Sequence, residues 1–275
     1  MTVKELYEQG ISLLSETESP KTDARAILEH LLNLEFGKLP LVFDRDATPI
    51  EEEYRKLIKE RAQNKPLSYI TGKKEFFSRE FLVGEGVLIP RPETENLVSA
   101  VLEHIVTPDM RIADVCSGSG CIGITLALES GTTVDLYELS AEAIFISQKN
   151  AEVLSAETVT VYPRDILVQG LEGTYDIIVS NPPYIPLEDM DFLMPDVKDY
   201  EPRMALTDEG DGLRFYKRLC ELATLHLKPG GVLAAEVGIN LHTPVAELFS
   251  TLGEVSIFKD YFGVERVVLV QKGEF

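Results

Sequence analysis

The sequence predicts an α/β protein in which a Rossmann-like, seven-stranded, largely parallel sheet follows a small N-terminal helical bundle and a β-hairpin linker. Three observations carry that expectation. Apolar residues recur at helical spacing over the first 65 or so positions, an aromatic and β-branched segment with a polar centre occupies residues 76–83, and from residue 91 short β-branched runs alternate with helical stretches. The corresponding boundaries are 1–65 for a helical domain, 66–90 for the linker and 91–275 for the sheet domain.

In the helical part, Leu6, Ile11 and Leu14 share one apolar face, and Ala24, Ile27, Leu28, Leu31 and Leu32 share the next. Thr48-Pro49-Ile50-Glu51 has the pattern of a capping box with proline at the first helical position, and Lys65-Pro66 ends the helix that follows. Phe76 to Val83 reads as the hairpin, closed by Gly84 and Gly86. The strands are expected at 111–115, 133–138, 158–162, 175–180, 231–237, 254–258 and 266–271. The last two lie too close for a crossover helix and should pair antiparallel.

Composition removes several function classes. There are 26 Lys+Arg against 46 Asp+Glu, a formal charge of −20, which repels polyanions, so direct nucleic-acid binding is not expected. Cys116, Cys121 and Cys220 lack zinc-type spacing and the four histidines form no ligand pattern, so neither metal nor disulfide is expected. No apolar run is long enough for a membrane span and the first residues lack a secretion signal, so a cytoplasmic protein is expected.

Ile112 to Gly123 runs from a strand through a tight glycine turn into a helix, the position where such sheets bind nucleotide cofactors. Gly118 and Gly120 permit backbone angles and close approaches that a Cβ blocks. Gly118-x-Gly120-x-x-Gly123 also matches the dinucleotide fingerprint, so the glycines alone leave a nicotinamide dehydrogenase open. Glu138, closing the next strand, is placed to accept from both ribose hydroxyls of either cofactor type. Asp114, just before the turn, would repel a pyrophosphate but suits the ammonium and sulfonium of S-adenosyl-L-methionine. Asp165 is placed to accept from the adenine amino group and Ile166 to pack on the ring. Cys116 and Cys121 read as small buried hydrophobes.

The tetrapeptide Asn181-Pro182-Pro183-Tyr184 stands at the carboxyl end of the strand 175–180. Two prolines end the strand and leave nearby carbonyls free to accept hydrogen bonds from something else. The motif resembles that of methyltransferases acting on planar nitrogen in adenine, guanine or the glutamine amide. Pro66 to Gly72, Ile89-Pro90-Arg91-Pro92-Glu93-Thr94-Glu95, Glu201-Pro202, Lys259 to Phe262 and Arg266-Val267-Val268 narrow the likeness. Over nearly the whole chain, they resemble the peptide chain release factor N5-glutamine methyltransferase family. That family's layout is a helical bundle, a hairpin linker and a seven-stranded class I methyltransferase domain.

The resemblance implies methyl transfer from S-adenosylmethionine to a glutamine side-chain amide, expected in the GGQ motif of release factors, by a monomeric enzyme. A ribosomal-protein glutamine, or less closely an adenine or guanine amino group, is the alternative. It also implies that Cys116, Ser117, Gly118, Ser119, Gly120, Glu138, Ile166 and Asn181 contact the cofactor. Asn181, Pro182, Pro183 and Tyr184 hold the amide, and the helical domain recognises the substrate. Two residues depart from the common pattern: Cys116 replaces a frequent loop glycine and Glu138 a frequent aspartate. Residues 185–211 carry nine acids and two bases and are expected to form a long loop bordering the substrate cleft.

Overall fold

The computed structural model describes residues 1–105 and 107–274. In chain order its principal elements are α1 (Val3–Leu13), α2 (Pro20–Leu31), α3 (Glu51–Ala62), α4 (Leu67–Thr71), β1 (Lys73–Phe76), β2 (Arg79–Leu82), α5 (Glu95–Leu102), β3 (Arg111–Val115), α6 (Cys121–Ser130), β4 (Thr133–Glu138) and α7 (Ala141–Val153). There follow β5 (Val159–Pro163), β6 (Tyr175–Ser180), α8 (Pro195–Tyr200), α9 (Arg203–Leu206), α10 (Arg214–His226), β7 (Leu227–Glu236), α11 (His242–Phe249), β8 (Gly253–Lys259) and β9 (Glu265–Lys272). The chain divides into two compact units, one of Met1–Lys73 with Met194–Tyr200, the other of Lys74–Leu193 with Glu201–Phe275.

In the first unit α1, α2 and α3 bury the apolar faces read from the sequence: Leu6 and Leu14, then Ala24, Ile27 and Leu28, then Tyr54, Leu57 and Ile58. A capping box does occur here, at Thr2. Thr2 Oγ1 accepts from Glu5 N–H at 3.2 Å while Glu5 Oε2 accepts from Thr2 N–H at 2.8 Å. The one expected at Thr48 does not form. Residues Thr48–Ile50 make a 3-10 turn, and Ile50 precedes α3 with no side-chain cap. The Thr48 hydroxyl instead donates to Asp46 Oδ1 at 2.7 Å, a local partner that competes with the cap. α3 stops at Ala62, before Lys65-Pro66, because Asn64 turns left-handed at φ 68°. The side chains of Arg61 and Asp23 pair at 2.7 Å, and Tyr200 OH donates to Gln63 O at 2.7 Å, bringing α8 into this unit.

The second unit holds a seven-stranded sheet in the order β5-β4-β3-β6-β7-β9-β8. β3, β4, β5, β6 and β7 run parallel, and β9 pairs antiparallel with both β7 and β8, as the short final connection requires. Side chains alternate across the sheet with period two. Ile112, Ile177 and Val179 enter the core under α5 and α6, whereas Ala113, Val115 and Ile178 enter the core under α10 and α11. β1 and β2 form the expected hairpin. Phe77 and Ser78 hold φ of 50° and 59°, matching the primed two-residue turns that follow strand twist. Phe76 and Phe81 meet edge-on with centroids 6.0 Å apart and join the α5/α6 core. The 185–211 segment is not one long loop: besides α8 and α9 it contains a 3-10 helix at Leu187–Phe192, and Glu201 and Asp208 are buried.

α6 is buried from Cys121 to Ala127 and lies against β3 and β4. Such an approach is possible because residue 123 has no side chain. A Cβ on Gly123 would stand 2.3 Å from Leu136 Cδ2 and 2.9 Å from Asp114 Oδ2. Gly123→Ala is expected to destabilise the protein by about 1–3 kcal/mol, the scale of core overpacking, measured as a lower urea midpoint. An unchanged midpoint would show that the helix yields freely.

Candidate active site

Strand order reverses direction of growth between β3 and β6, and in such sheets a crevice opens outside the carboxyl ends of the strands at that point. Register pairing of β6 stops at Ser180 on both sides, opposite Val115 and Ala235, so Asn181 is the first residue beyond the sheet. A pocket open to solvent lies there. Its walls include the loop after β3 (Cys116 to Ser119), Glu138 at the end of β4, Asp165 and Ile166 after β5, Asn181 and Pro183 after β6, and Ile89 to Arg91.

Backbone geometry shapes the loop. Gly120 N–H donates to Ser117 O at 2.8 Å, with Gly118 and Gly120 at φ 56° and 79°. A Cβ on Gly118 would meet nothing within 4 Å, so its bare face is open to a ligand, whereas one on Gly120 would strike Ile124 and Leu136. Cys116 holds φ 61° although it is not glycine, a conformation costing about 1–2 kcal/mol. Burial pushes its thiol well above the ordinary range, and burial raises that of Cys121 to about 12, so neither is a ready nucleophile.

The Glu138 carboxylate organises this end of the sheet. It accepts from Gly118 N–H at 2.8 Å through Oε2, and from Leu139 and Ser140 N–H at 2.7 and 2.9 Å through Oε1. These charge-assisted bonds fix the carboxylate in the pocket wall and tie the loop after β3 to the end of β4. The longer glutamate side chain in place of aspartate is thus held at both oxygens. Asp165 Oδ1 accepts from Leu167 N–H at 2.9 Å, and Arg218 donates from Nε to Ile166 O at 2.6 Å, fixing the segment where an adenine ring would lie. Arg218 carried no signal in the sequence, being 52 residues away.

Four sequence-predicted residues stand behind the wall rather than in it. Asp114 is fully buried and does not line the pocket. Period two turns it, with Ile112, toward α6, where Oδ2 accepts from Gly123 N–H at 2.9 Å. Burial pushes its carboxyl up to about 7. The charge argument for the cofactor therefore falls to Glu138 and Asp165, which do face the pocket. Pro182 is buried beside the strand end and is absent from the lining, as is Gly120. Tyr184 also stays out of the lining: its hydroxyl donates to Glu236 at 3.1 Å, and its ring fills the space beside Gly238, where a Cβ would stand 2.9 Å from Cδ2.

Asn181 Nδ2 donates to Thr94 Oγ1 at 3.2 Å. Thr94 ends a 3-10 turn at Pro92–Thr94, and the preceding Ile89–Arg91 segment is held by Glu201, which accepts from Ile89 N–H at 3.2 Å and pairs with Arg91. The proline-rich run Ile89 to Pro92 was the sequence signal for this wall, though it assigned no roles.

The pocket fits S-adenosylmethionine on its own features. Its lining combines the carboxylates of Glu138 and Asp165 with the apolar Leu139, Ile166 and Leu167, suited to a cationic nucleoside. Ser117 Oγ, buried at the wall, takes no hydrogen bond from the described residues and would serve a polar ligand atom. No group of His, Cys, Asp and Glu able to hold a metal occurs among the described residues.

Known proteins agree with this geometry. Residues 5–72 match the family model described as PrmC N-terminal domain, and residues 93–193 the one described as Methyltransferase small domain. Release factor glutamine methyltransferases of Clostridium acetobutylicum and Koribacter versatilis are each 38% identical, over 286 and 279 aligned residues, with 99% of both chains covered in each case. Among solved structures, a methyltransferase from Pyrococcus furiosus superposes with TM-score 0.56 at 18% identity, covering 82% of this chain and 99% of its own, which shows the fold alone. Fold and site together define an S-adenosylmethionine-dependent methyltransferase of class I. Within that class, the chain belongs to the release factor glutamine methyltransferase family.

Asp114 gives this site a pH signature. Its folded pKa, about 7, exceeds the ordinary carboxylate value, so the native state binds the proton more tightly than the unfolded chain. The contribution of Asp114 to stability is therefore greatest at low pH and declines as pH rises between the two values. Asp114→Asn, which keeps an acceptor for Gly123, should gain melting temperature relative to the parent between about pH 5 and about pH 8. A constant difference across that range would contradict the burial argument.

Proposed function

We propose that this chain transfers the methyl group of S-adenosylmethionine to the side-chain amide nitrogen of a glutamine in peptide chain release factors. The observation that carries the reading is the placement of Asn181 immediately past the end of β6, in the lining of the pocket, with its Nδ2 donating to Thr94. The relatives bearing this name cover both chains almost completely and support the substrate. The acidic surface favours a protein over a nucleic acid. No helix among the described residues is long and apolar enough to cross a membrane.

An amide nitrogen shares its lone pair with the carbonyl and is a poor nucleophile. The cofactor supplies an electrophilic methyl group, so the protein's task is positioning and charge stabilisation. Asn181 Oδ1, at the pocket wall, accepts an amide N–H, which aims the nitrogen and stabilises the positive charge that develops on it. Pro182 and Pro183 carry no N–H, so neither can donate to a continuing strand. Tyr184, with its hydroxyl anchored on Glu236, supports the motif from behind. The proton is then lost to water. Glu138, Ser117 and Gly118 hold the cofactor, Asp165 and Ile166 the adenine, and Cys116, Ser119 and Gly120 complete the loop around it. The helical region 1–65 contributes recognition of the intact substrate, since one glutamine amide is chemically like another and selectivity needs contacts elsewhere.

Asn181→Ala should remain folded and lose turnover on a release factor by about 2.7–4 kcal/mol, the cost of deleting one transition-state hydrogen-bonding group. Transfer of labelled methyl to the release factor at near-parental rate would contradict the mechanism. A short peptide carrying the glutamine should react with much lower kcat/KM than the intact factor, because remote binding energy is absent. Equal kcat/KM would remove the recognition role.

A further inference from the structure

S-adenosylmethionine carries a carboxylate of its own on the methionyl part, and the pocket it enters is acidic. Glu138 and Asp165 both line that pocket, in a protein of formal charge −20. Like charges in a partly closed site repel more than in water, so the ligand carboxylate needs a cation beside it. Among the described residues two basic side chains line the pocket, Arg91 and Arg164.

Arg164 is committed within its own loop. It follows β5, and its guanidinium donates from Nη1 to Gly170 O at 2.6 Å and pairs with Glu172 through Nη2. It stands at the adenine end, next to Asp165 and Ile166. Arg91 stands at the other end. It directly precedes the Pro92–Thr94 turn, whose Thr94 accepts from Asn181 Nδ2 at 3.2 Å just past β6. The sheet runs in the order β5-β4-β3-β6. With the adenine after β5 and the ribose at Glu138 of β4, the ends of β3 and β6 are left for the methionyl part.

A buried carboxylate holds the Arg91 guanidinium in place. Nη2 of Arg91 pairs with Glu201, whose side chain is 2% exposed against 33% for Arg91, and Glu201 also accepts from Ile89 N–H at 3.2 Å. Burying a carboxylate is costly unless a cation and hydrogen bonds surround it, and an apolar residue would pack there at less cost. The pair therefore points to a task for the arginine. A guanidinium offers five N–H donors in a planar fork that matches a carboxylate, and Glu201 engages one arm of it.

We infer that Arg91 binds the carboxylate of the methionyl part of S-adenosylmethionine, with Glu201 as the positioning residue that holds the guanidinium at the pocket wall. The inference rests on the reading of this pocket as the cofactor's. It gives the proline-rich run Ile89 to Pro92 a role in the site: the rigid segment carries the cation to the end of the pocket where no other basic side chain among the described residues reaches.

Titration calorimetry of the full chain with two ligands isolates the contact. One is S-adenosylhomocysteine, the cofactor without its methyl group, and the other is its decarboxylated analogue, an adenosine thioether ending in a propylamine. The parent should bind the first more tightly. In Arg91→Ala, affinity for S-adenosylhomocysteine should fall at least about tenfold, the scale of a hydrogen bond to a charged group, while affinity for the decarboxylated analogue should not fall. Arg91→Ala also leaves Glu201 buried without its cation, so the pair is replaced together as well. Arg91→Gln/Glu201→Gln should show the same selective loss. An equal fall for both ligands in the double variant, or no fall for either, would overturn the inference. Glu138→Ala tests the pocket reading separately. Both ligands carry the ribose, so both should weaken alike in that variant. Unchanged affinity for both would count against the pocket reading, whereas the assignment of Arg91 is decided by the difference between the two ligands.

Discussion

The hydrogen bond from Gly123 N–H to the buried Asp114 carboxylate, 2.9 Å long, is the constraint on which the cofactor end of the protein depends. It joins β3 to the first turn of α6 in a place where neither side chain could be larger. Leu136 and Val134 of β4 close on Gly123 from the other side. With strand and helix held this closely, residues 116–120 must cross between them in a tight turn, and left-handed backbone at Cys116, Gly118 and Gly120 is the geometric result. The exposed face of Gly118 and the unpartnered Ser117 hydroxyl at the pocket wall follow from that turn. In the proposed function Asp114 would thus serve the cofactor at one remove, by building the loop after β3.

A second layer of constraint lies at the ends of the neighbouring strands. Glu138 satisfies three backbone N–H groups from two segments, so the loop after β3 cannot move independently of the end of β4. Asn150 does similar work from α7: its Nδ2 donates to Ser119 O at 2.9 Å and to Leu82 O at 3.0 Å, linking the loop to the hairpin. Both devices place polar side chains where backbone groups would otherwise be buried without partners. The end of β6 at Asn181–Tyr184 differs in kind. Its prolines donate nothing, and its order comes from side chains, Thr94 on Asn181 and Glu236 on Tyr184.

Much of this was legible before any coordinates. The strands at 111–115, 133–138 and 175–180 coincide with their expected bounds because each is a short apolar run, buried on both faces, that ends at a polar residue or a turn. The hairpin turn was legible from its polar centre, and the antiparallel close of the sheet from loop length alone. The Thr48 capping box failed because a nearer acceptor, Asp46, took the hydroxyl. Asp114 was given to the cofactor although the parity of β3 already placed it on the face of Ile112, toward the helix. Thr94 and Glu236 could not be read at all: their partners are 87 and 52 residues away, and no local period encodes such contacts. The acidic run is expected from sequence as a loop bordering the substrate cleft, yet Asp208 is committed to Gly210, Gly212 and Arg214 N–H, and Glu201 to Ile89 and Arg91.

The central claim is that this pocket delivers a methyl group to a glutamine amide. It is tested most directly by tandem mass spectrometry of a release factor incubated with the enzyme and S-adenosylmethionine. The account predicts a single methyl increment, fragmenting to the glutamine side chain of the GGQ segment, that is absent without cofactor. An unmodified release factor, with the methyl found on a ribosomal protein or a nucleic acid offered in the same reaction, would contradict it.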